Sequence, residues 1–213
     1  MFTVERPDVE RVLRDYGIPE TLRDFSELQR YHYERYDPDS REVRLILRLT
    51  LEGRAPLVLR FKNEEDVTQA LLESQCRFAQ TLRENGIPTP RQYRAEGCFT
   101  RWYRIGGYEV LAALEDFAEG QLTVVDAAAA EQTGALLART HRIAETLDLH
   151  VENRVLFDPC AENDLFDVEG FRSVGPALSG EDKVLFDRIL AKYDAVMDRL
   201  APLRQAPRYA VQG

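Results

Sequence analysis

Residues 42–51 constrain this chain more than any other stretch. Val43, Leu45, Leu47, Leu49 and Leu51 alternate with Arg44, Ile46, Arg48 and Thr50. Successive side chains of a strand point to opposite faces, so this run has one apolar face that must be covered and one mainly polar face. Glu52-Gly-Arg54 then turns the chain, and Pro56-Leu-Val-Leu-Arg-Phe-Lys62 reads as the next strand. Ahead of both, the tyrosine-rich residues 27–36 read as extended, closed by the turn signal Asp37-Pro-Asp-Ser40. Three strands joined by tight turns predict an antiparallel meander.

Around this sheet the period changes. Pro7-Asp-Val-Glu-Arg-Val-Leu-Arg-Asp-Tyr16 places Val9, Val12, Leu13 and Tyr16 on one helical face and ends at Gly17 and Pro19. Asn63-Glu-Glu-Asp66 reads as a helix start, and Val67, Leu71, Phe78 and Leu82 recur at helical spacing up to Gly86. Two more strands are expected at residues 92–95 and 108–114, with a loop at Gly106-Gly107 between them. After the acidic run Glu115-Asp-Phe-Ala-Glu-Gly120 the pattern turns helical. Residues 126–147 place Leu136, Leu137, Thr140, Ile143 and Leu147 on one side, residues 158–175 read as loop, and residues 180–201 form a long amphipathic helix. Segregation of sheet from helices predicts an α+β chain with two lobes, residues 1–118 and 119–213.

Composition narrows the function classes. The chain has 213 residues and a formal net charge of -9. An acidic surface repels phosphate backbones, so nucleic acid is not an expected partner, whereas cationic substrates and a cytoplasmic location suit it. Equally, the acidity could serve only to keep the protein soluble. There is no run near the roughly 18 apolar residues of a membrane span and no secretory leader, so no membrane partner is expected. The three cysteines, Cys76, Cys98 and Cys160, are far apart, which predicts reduced thiols without a disulfide or zinc cluster. His32, His141 and His150 stand in no metal-ligand constellation.

In the second strand of the hairpin, Val58, Arg60 and Lys62 share a face. A cation there, opposite Glu73 of the following helix, can hold the α- and β-phosphates of a nucleotide. Taken alone, the pair reads more plainly as a surface cation and an ordinary helix glutamate. The order of elements changes that weighting. Strand, Arg60, helix, Glu73 and then Gly86-Ile-Pro-Thr-Pro90 resembles the N-terminal lobe of the aminoglycoside phosphotransferase and choline-kinase-like family, of protein-kinase-like fold.

The resemblance implies that Arg60 is the phosphate clamp, with Glu73 as its partner and Lys62 as a substitute cation, and that Val58 covers the adenine. Tyr108-Glu-Val-Leu-Ala-Ala-Leu-Glu-Asp-Phe-Ala-Glu-Gly120 is similar to the family's fifth strand and hinge, implying adenine contacts from the backbone of Glu115, Asp116 and Phe117. Residues 131–143, including His141, look like the first long helix of the C-terminal lobe, with that histidine structural. Tyr209-Ala-Val-Gln-Gly213 resembles the strand before the catalytic loop. The family's general base and its metal-binding asparagine and aspartate would then fall beyond Gly213. The C-terminal lobe would be incomplete and this stretch inactive alone.

The implied activity is transfer of the γ-phosphoryl group of ATP or GTP, with Mg2+, to a hydroxyl of a small molecule. Aminoglycosides, choline, sugars, amino acids and other alcohols all remain open as acceptors. The alternative is a non-catalytic nucleotide-binding or scaffold module. One departure from the pattern stands in the first hairpin, where Tyr36-Asp-Pro-Asp-Ser-Arg41 replaces the glycines of a phosphate-covering loop. Asp158, Asp164 and Asp167 could meet a cationic substrate, while Phe157 and Phe166 read better as loop anchors.

Overall fold

The computed structural model describes residues 1–65, 67–120, 123–150 and 167–202. These fall into two compact units, one up to residue 150 and one comprising residues 167–202. Helix α1 (Arg6–Asp15) opens the first unit. Strands β1 (Leu22–Tyr31), β2 (Val43–Leu51) and β3 (Leu57–Asn63) follow, then helix α2 (Gln69–Glu84), strands β4 (Thr100–Ile105) and β5 (Tyr108–Asp116), and helix α3 (Ala127–Thr146). The five strands form one antiparallel sheet in the order β1-β2-β3-β5-β4.

The period of β2 becomes the two faces of this sheet. Its leucines pair with the inward residues of β3, Leu45 with Phe61, Leu47 with Leu59 and Leu49 with Leu57. On β5 the same face continues as Ala112 opposite Phe61 and Leu114 opposite Leu59. These residues pack with Val9, Val12, Leu13 and Tyr16 of α1 in a single buried cluster. The Tyr16 hydroxyl lies at 2.9 Å from Phe99 O and 2.7 Å from Ala112 O, so the buried phenol is not left unpaired. The opposite face carries Arg44, Arg48, Val58, Arg60 and Lys62.

Strands β2, β3 and β5 match those expected from alternation, and β1 spans Leu22–Tyr31 where an extended stretch at residues 27–36 was expected. Four local readings are corrected. No strand forms at residues 92–95, where only the isolated bridges Gln92–Glu115 and Ala95–Cys98 occur. The extra strand is β4, whose Tyr103 and Ile105 face the core while Thr100 faces α2. It reaches β5 through Gly106 and Gly107, at φ of 55° and 82°, a backbone that glycine adopts without steric cost. Helix α2 starts after Thr68, whose hydroxyl accepts from Leu71 N at 3.2 Å, because β3 runs on through Asn63. Residues 33–35, expected to be extended, form a short 3-10 turn.

The fourth correction lies in the second unit. Val168–Val174 is a helix, α4, capped by Asp167, whose carboxylate accepts from Gly170 N at 2.7 Å. The expected loop therefore does not extend to residue 175. Helix α5 (Gly180–Leu200) packs on it through Phe171 and Phe186, whose rings stack at 4.8 Å, and through the Arg172–Asp194 ion pair. Val184, Leu185, Ile189 and Val196 stay exposed on α5. In α3 of the first unit, Thr140 and Ala144 are buried, whereas Leu136, Leu137 and Leu147 are exposed. The expected terminal strand at residues 209–213 lies outside the described residues, as do Cys160, Phe157, Asp158, Asp164 and Phe166. Among the described residues no helix is long and apolar enough to cross a membrane.

The link from β1 to β2 is held by tyrosines in place of glycines. Tyr31 lies 4.5 Å from Tyr33 and 6.1 Å from Tyr36 between ring centroids, and Arg44 sits over Tyr31. Glu64 accepts from the Tyr33 hydroxyl and from Arg44 Nη2, with Lys62 Nζ at 3.7 Å. Burial alone would raise the Glu64 carboxyl. The Tyr33 and Arg44 hydrogen bonds, with the charges of Arg44 and Lys62, outweigh it and hold the group below its ordinary value.

Two outcomes are expected. Leu59, 0% exposed, should cost about 2–5 kcal/mol on Leu59→Ala in urea unfolding, while Leu28→Ala, at a position 48% exposed, should stay within about 0.5 kcal/mol. A depressed carboxyl contributes stability above its unfolded pKa and loses it as pH falls through the folded value. Stability should therefore decline between about pH 5 and pH 3, less steeply in Glu64→Gln, and identical acid slopes for the two proteins would count against the network.

Candidate functional site

The polar face of β3 is where the sequence places its cations, and the cross-strand register shows what stands beside each. Val58 lies between Arg48 and Glu115, Arg60 between Ile46 and Ala113, and Lys62 between Arg44 and Leu111. Helix α2 covers part of this face. Arg60, Lys62, Cys76, Gln92, Leu111 and Glu115 are among the residues that line a cleft of about 220 Å3 between the helix and the sheet.

Helix α2 is docked by one residue of β4. Glu73 Oε1 accepts from both the backbone N–H and the hydroxyl of Thr100, each at 2.6 Å, and Gln69 Nε2 donates to Thr100 O at 3.1 Å. The carboxylate expected to meet Arg60 is thus committed elsewhere. Arg60 instead donates from Nε at 2.8 Å, and from Nη2, to Oε1 of Glu115. This corrects the expected Arg60–Glu73 pair. The reason is strand register: Arg60 faces Ala113, so Glu115 is its diagonal neighbour on the same face, within reach of a long side chain.

Glu115 also accepts from Gln92 Nε2 at 2.7 Å through its second oxygen. Its side chain is 13% exposed against 43% for Arg60, so the carboxylate is sheltered and the guanidinium opens toward solvent. Cys76 faces the same cleft. Burial, and then the charges of Glu115 and Glu73, push its thiol up to about 12 against the opposing pull of Arg60, which leaves it protonated and inert at neutral pH.

The segment expected to serve as the hinge is tied down from both sides. Asp116 N donates to Arg91 O at 3.0 Å and Phe117 N to Pro56 O at 3.1 Å. The Asp116 carboxylate accepts from the Tyr93 hydroxyl at 2.7 Å. Two of the amides expected to meet an adenine edge are therefore already satisfied. The Phe117 ring lies 4.9 Å from the Arg48 guanidinium, on the flank of Val58, which is only 6% exposed. Buried Arg48 Nε has no hydrogen-bond partner among the described residues.

The structure thus gathers Val58, Arg60, Lys62 and Glu115 on one face, with Asp116 and Phe117 at its end, and sets Glu73 to another task. Gln92 and Cys76 were missed by sequence reasoning. Cys76 is three residues beyond Glu73, one helical turn along the same face, so a signal was available for it. Gln92 carries none, since its role depends on the long-range bridge to Glu115. Of the other named residues, His141 is exposed on α3, His32 meets Glu34, and His150 meets Asp148. No group of three His, Cys, Asp or Glu side chains that could hold a metal gathers among the described residues.

No family model matches the chain, and no curated protein matches it in sequence. Among solved structures it is similar to the amicoumacin kinase hAmiN in complex with AMP-PNP, Ca2+ and Ami, with a TM-score of 0.52 and 14% identity. That match covers 94% of this chain and 55% of the other, so the chain spans little more than half the length of that kinase. At this identity the likeness establishes the fold, an α+β kinase-like arrangement in which an antiparallel sheet is followed by helices.

Proposed function

We propose that this chain carries the nucleotide-holding part of a small-molecule phosphotransferase, which moves the γ-phosphoryl group of ATP or GTP, with Mg2+, to a hydroxyl of a small substrate. The observation that carries the reading is Arg60. It is a half-exposed guanidinium on the polar face of β3, beside a cleft under α2, on a kinase-like fold. Residues 1–118 form the nucleotide lobe in this reading and residues 119–213 belong to the helical lobe. We place the protein in the cytoplasm.

Arg60 and Lys62 are the residues that would hold the polyphosphate, and both chemistries fit an anion. Arg60 offers a planar fork, and Lys62 a compact charge on the same face. Glu115 takes the role first given to Glu73. It orients Arg60 through Nε and Nη2, leaving Nη1 with no bond among the described residues. Arriving phosphate oxygens would meet that nitrogen without breaking the pair. Val58 and the Phe117 ring would flank the adenine, whose edge would find hinge donors from Ala118 onward, since the amides of Asp116 and Phe117 are committed. The reading assigns the general base and the metal ligands to no residue of this chain.

Titration calorimetry with AMP-PNP and Mg2+ tests the clamp. Arg60→Ala combined with Lys62→Ala should weaken binding about tenfold or more, the scale of losing charge-assisted hydrogen bonds to phosphate. Glu73→Gln should lower stability through Thr100 and leave the affinity of the folded protein within about threefold. Equal affinity of the wild type and the Arg60, Lys62 double variant would remove the cleft from consideration.

A further inference from the structure

A second cavity, of about 500 Å3, lies where the segment after α2 passes the turn between β2 and β3. It shares only Gln92 with the Arg60 cleft. Its wall holds three guanidiniums, Arg54, Arg91 and Arg94, and one carboxylate, Glu84, which accepts from Gln80 Nε2 at 3.0 Å. Only Arg54 has an ion-pair partner among the described residues, Glu20 at 3.1 Å. Arg94 donates to Gly97 O at 3.1 Å, and the Arg91 guanidinium makes no hydrogen bond or ion pair among the described residues.

This is an unusual concentration of charge for a chain of net charge -9, in which acidic side chains outnumber basic ones by 37 to 28. Three like charges around one cavity repel one another, and a multivalent anion between them reverses the sign of that energy. The guanidiniums are also held in place. Arg54 and Arg91 each lie 5.0 Å from the ring centroid of Tyr93, and Arg94 lies 4.0 Å from that of Phe99. Stacking on rings that are themselves buried reduces the rotamer freedom lost when a ligand is gripped. The volume falls within the ordinary range of small-ligand sites, roughly 300–1,000 Å3, and exceeds the need of a single phosphate.

We propose that this cavity is a binding site for a small multivalent oxyanion of the pyrophosphate class, gripped by Arg91 and Arg94 with Arg54 at the back. Guanidinium forks match the paired oxygens of phosphate groups, and the cavity spans more than one such group. The site stands on residues other than those of the nucleotide cleft, so it holds or fails independently of the phosphotransferase reading.

The test is calorimetric titration of the whole chain with inorganic pyrophosphate at constant ionic strength, with citrate as the polycarboxylate arm. Saturable binding of pyrophosphate is expected at a site that persists in the Arg60→Ala, Lys62→Ala variant, tighter than that of citrate. Arg91→Ala with Arg94→Ala should weaken it about tenfold or more, whereas Arg60→Ala with Lys62→Ala should leave it intact. Both target arginines are exposed, so the double variant should melt with the wild type in the absence of ligand. Arg91→Lys with Arg94→Lys, which keeps the charge and loses the fork, should bind between the two. Absence of saturable binding, or equal binding in the Arg91, Arg94 double alanine variant, would overturn the site. Loss in the Arg60, Lys62 variant would move the anion into the nucleotide cleft, and citrate binding as tightly as pyrophosphate would overturn the phosphate class.

Discussion

The pairing of β2 with β3 decides how everything else is arranged. Leu45, Leu47 and Leu49 meet Phe61, Leu59 and Leu57, and all six lie in the cluster that α1 closes. A one-residue slip would turn every one of these side chains outward and bring Arg60 and Lys62 into the core. The apolar area buried on one face thus forces the cations onto the other. The chemistry of the polar face follows from the packing of the apolar face, with no need for a separate positioning device.

Given that face, the cleft is shaped by two glutamates with different tasks. Glu73 brackets Thr100 and docks α2 on the edge strand β4. Glu115 lies diagonally across from Arg60 and orients its guanidinium, while Gln92 satisfies its remaining oxygen. Both carboxylates therefore have hydrogen-bond partners before any ligand arrives. Arg60 remains half exposed, so an anion can reach it at little desolvation cost.

Tyrosine takes over tasks often given to glycine or to apolar residues in this molecule. The rings of Tyr31, Tyr33 and Tyr36 gather in the β1–β2 connection, the hairpin in which the sequence was read as lacking the glycines of a phosphate-covering loop. Tyr33 ties that connection to Glu64 at the end of β3. Tyr93 joins Arg54 to Asp116 and so fastens the β2–β3 turn to the end of β5. Tyr33 and Tyr93 each combine an apolar ring with a part-buried hydroxyl that has a partner.

Local periodicity was enough to read β2, β3 and β5, the helical face of α1 and the face shared by Val58, Arg60 and Lys62, because all are properties of consecutive residues. It was not enough to find β4, in which adjacent Trp102 and Tyr103 break the alternation. Residues 92–95 meet β5 only at the isolated bridge Gln92–Glu115, whereas residues 100–105 form a full ladder with it, and only tertiary pairing shows that difference. The start of α2 was misread because Asn63 and Glu64 have the composition of a helix start, yet the β2 ladder holds Asn63 in a strand and Arg44 and Tyr33 hold Glu64. The partner of Arg60 depended on bringing residues 60 and 115 together, a separation that no window of sequence spans. Thus the sequence by itself determined which faces are apolar and which residue types stand on them, since side-chain alternation is a local rule. Tertiary structure alone decided which carboxylate meets which cation and that three arginines share one cavity, since those depend on register and docking between distant strands and helices.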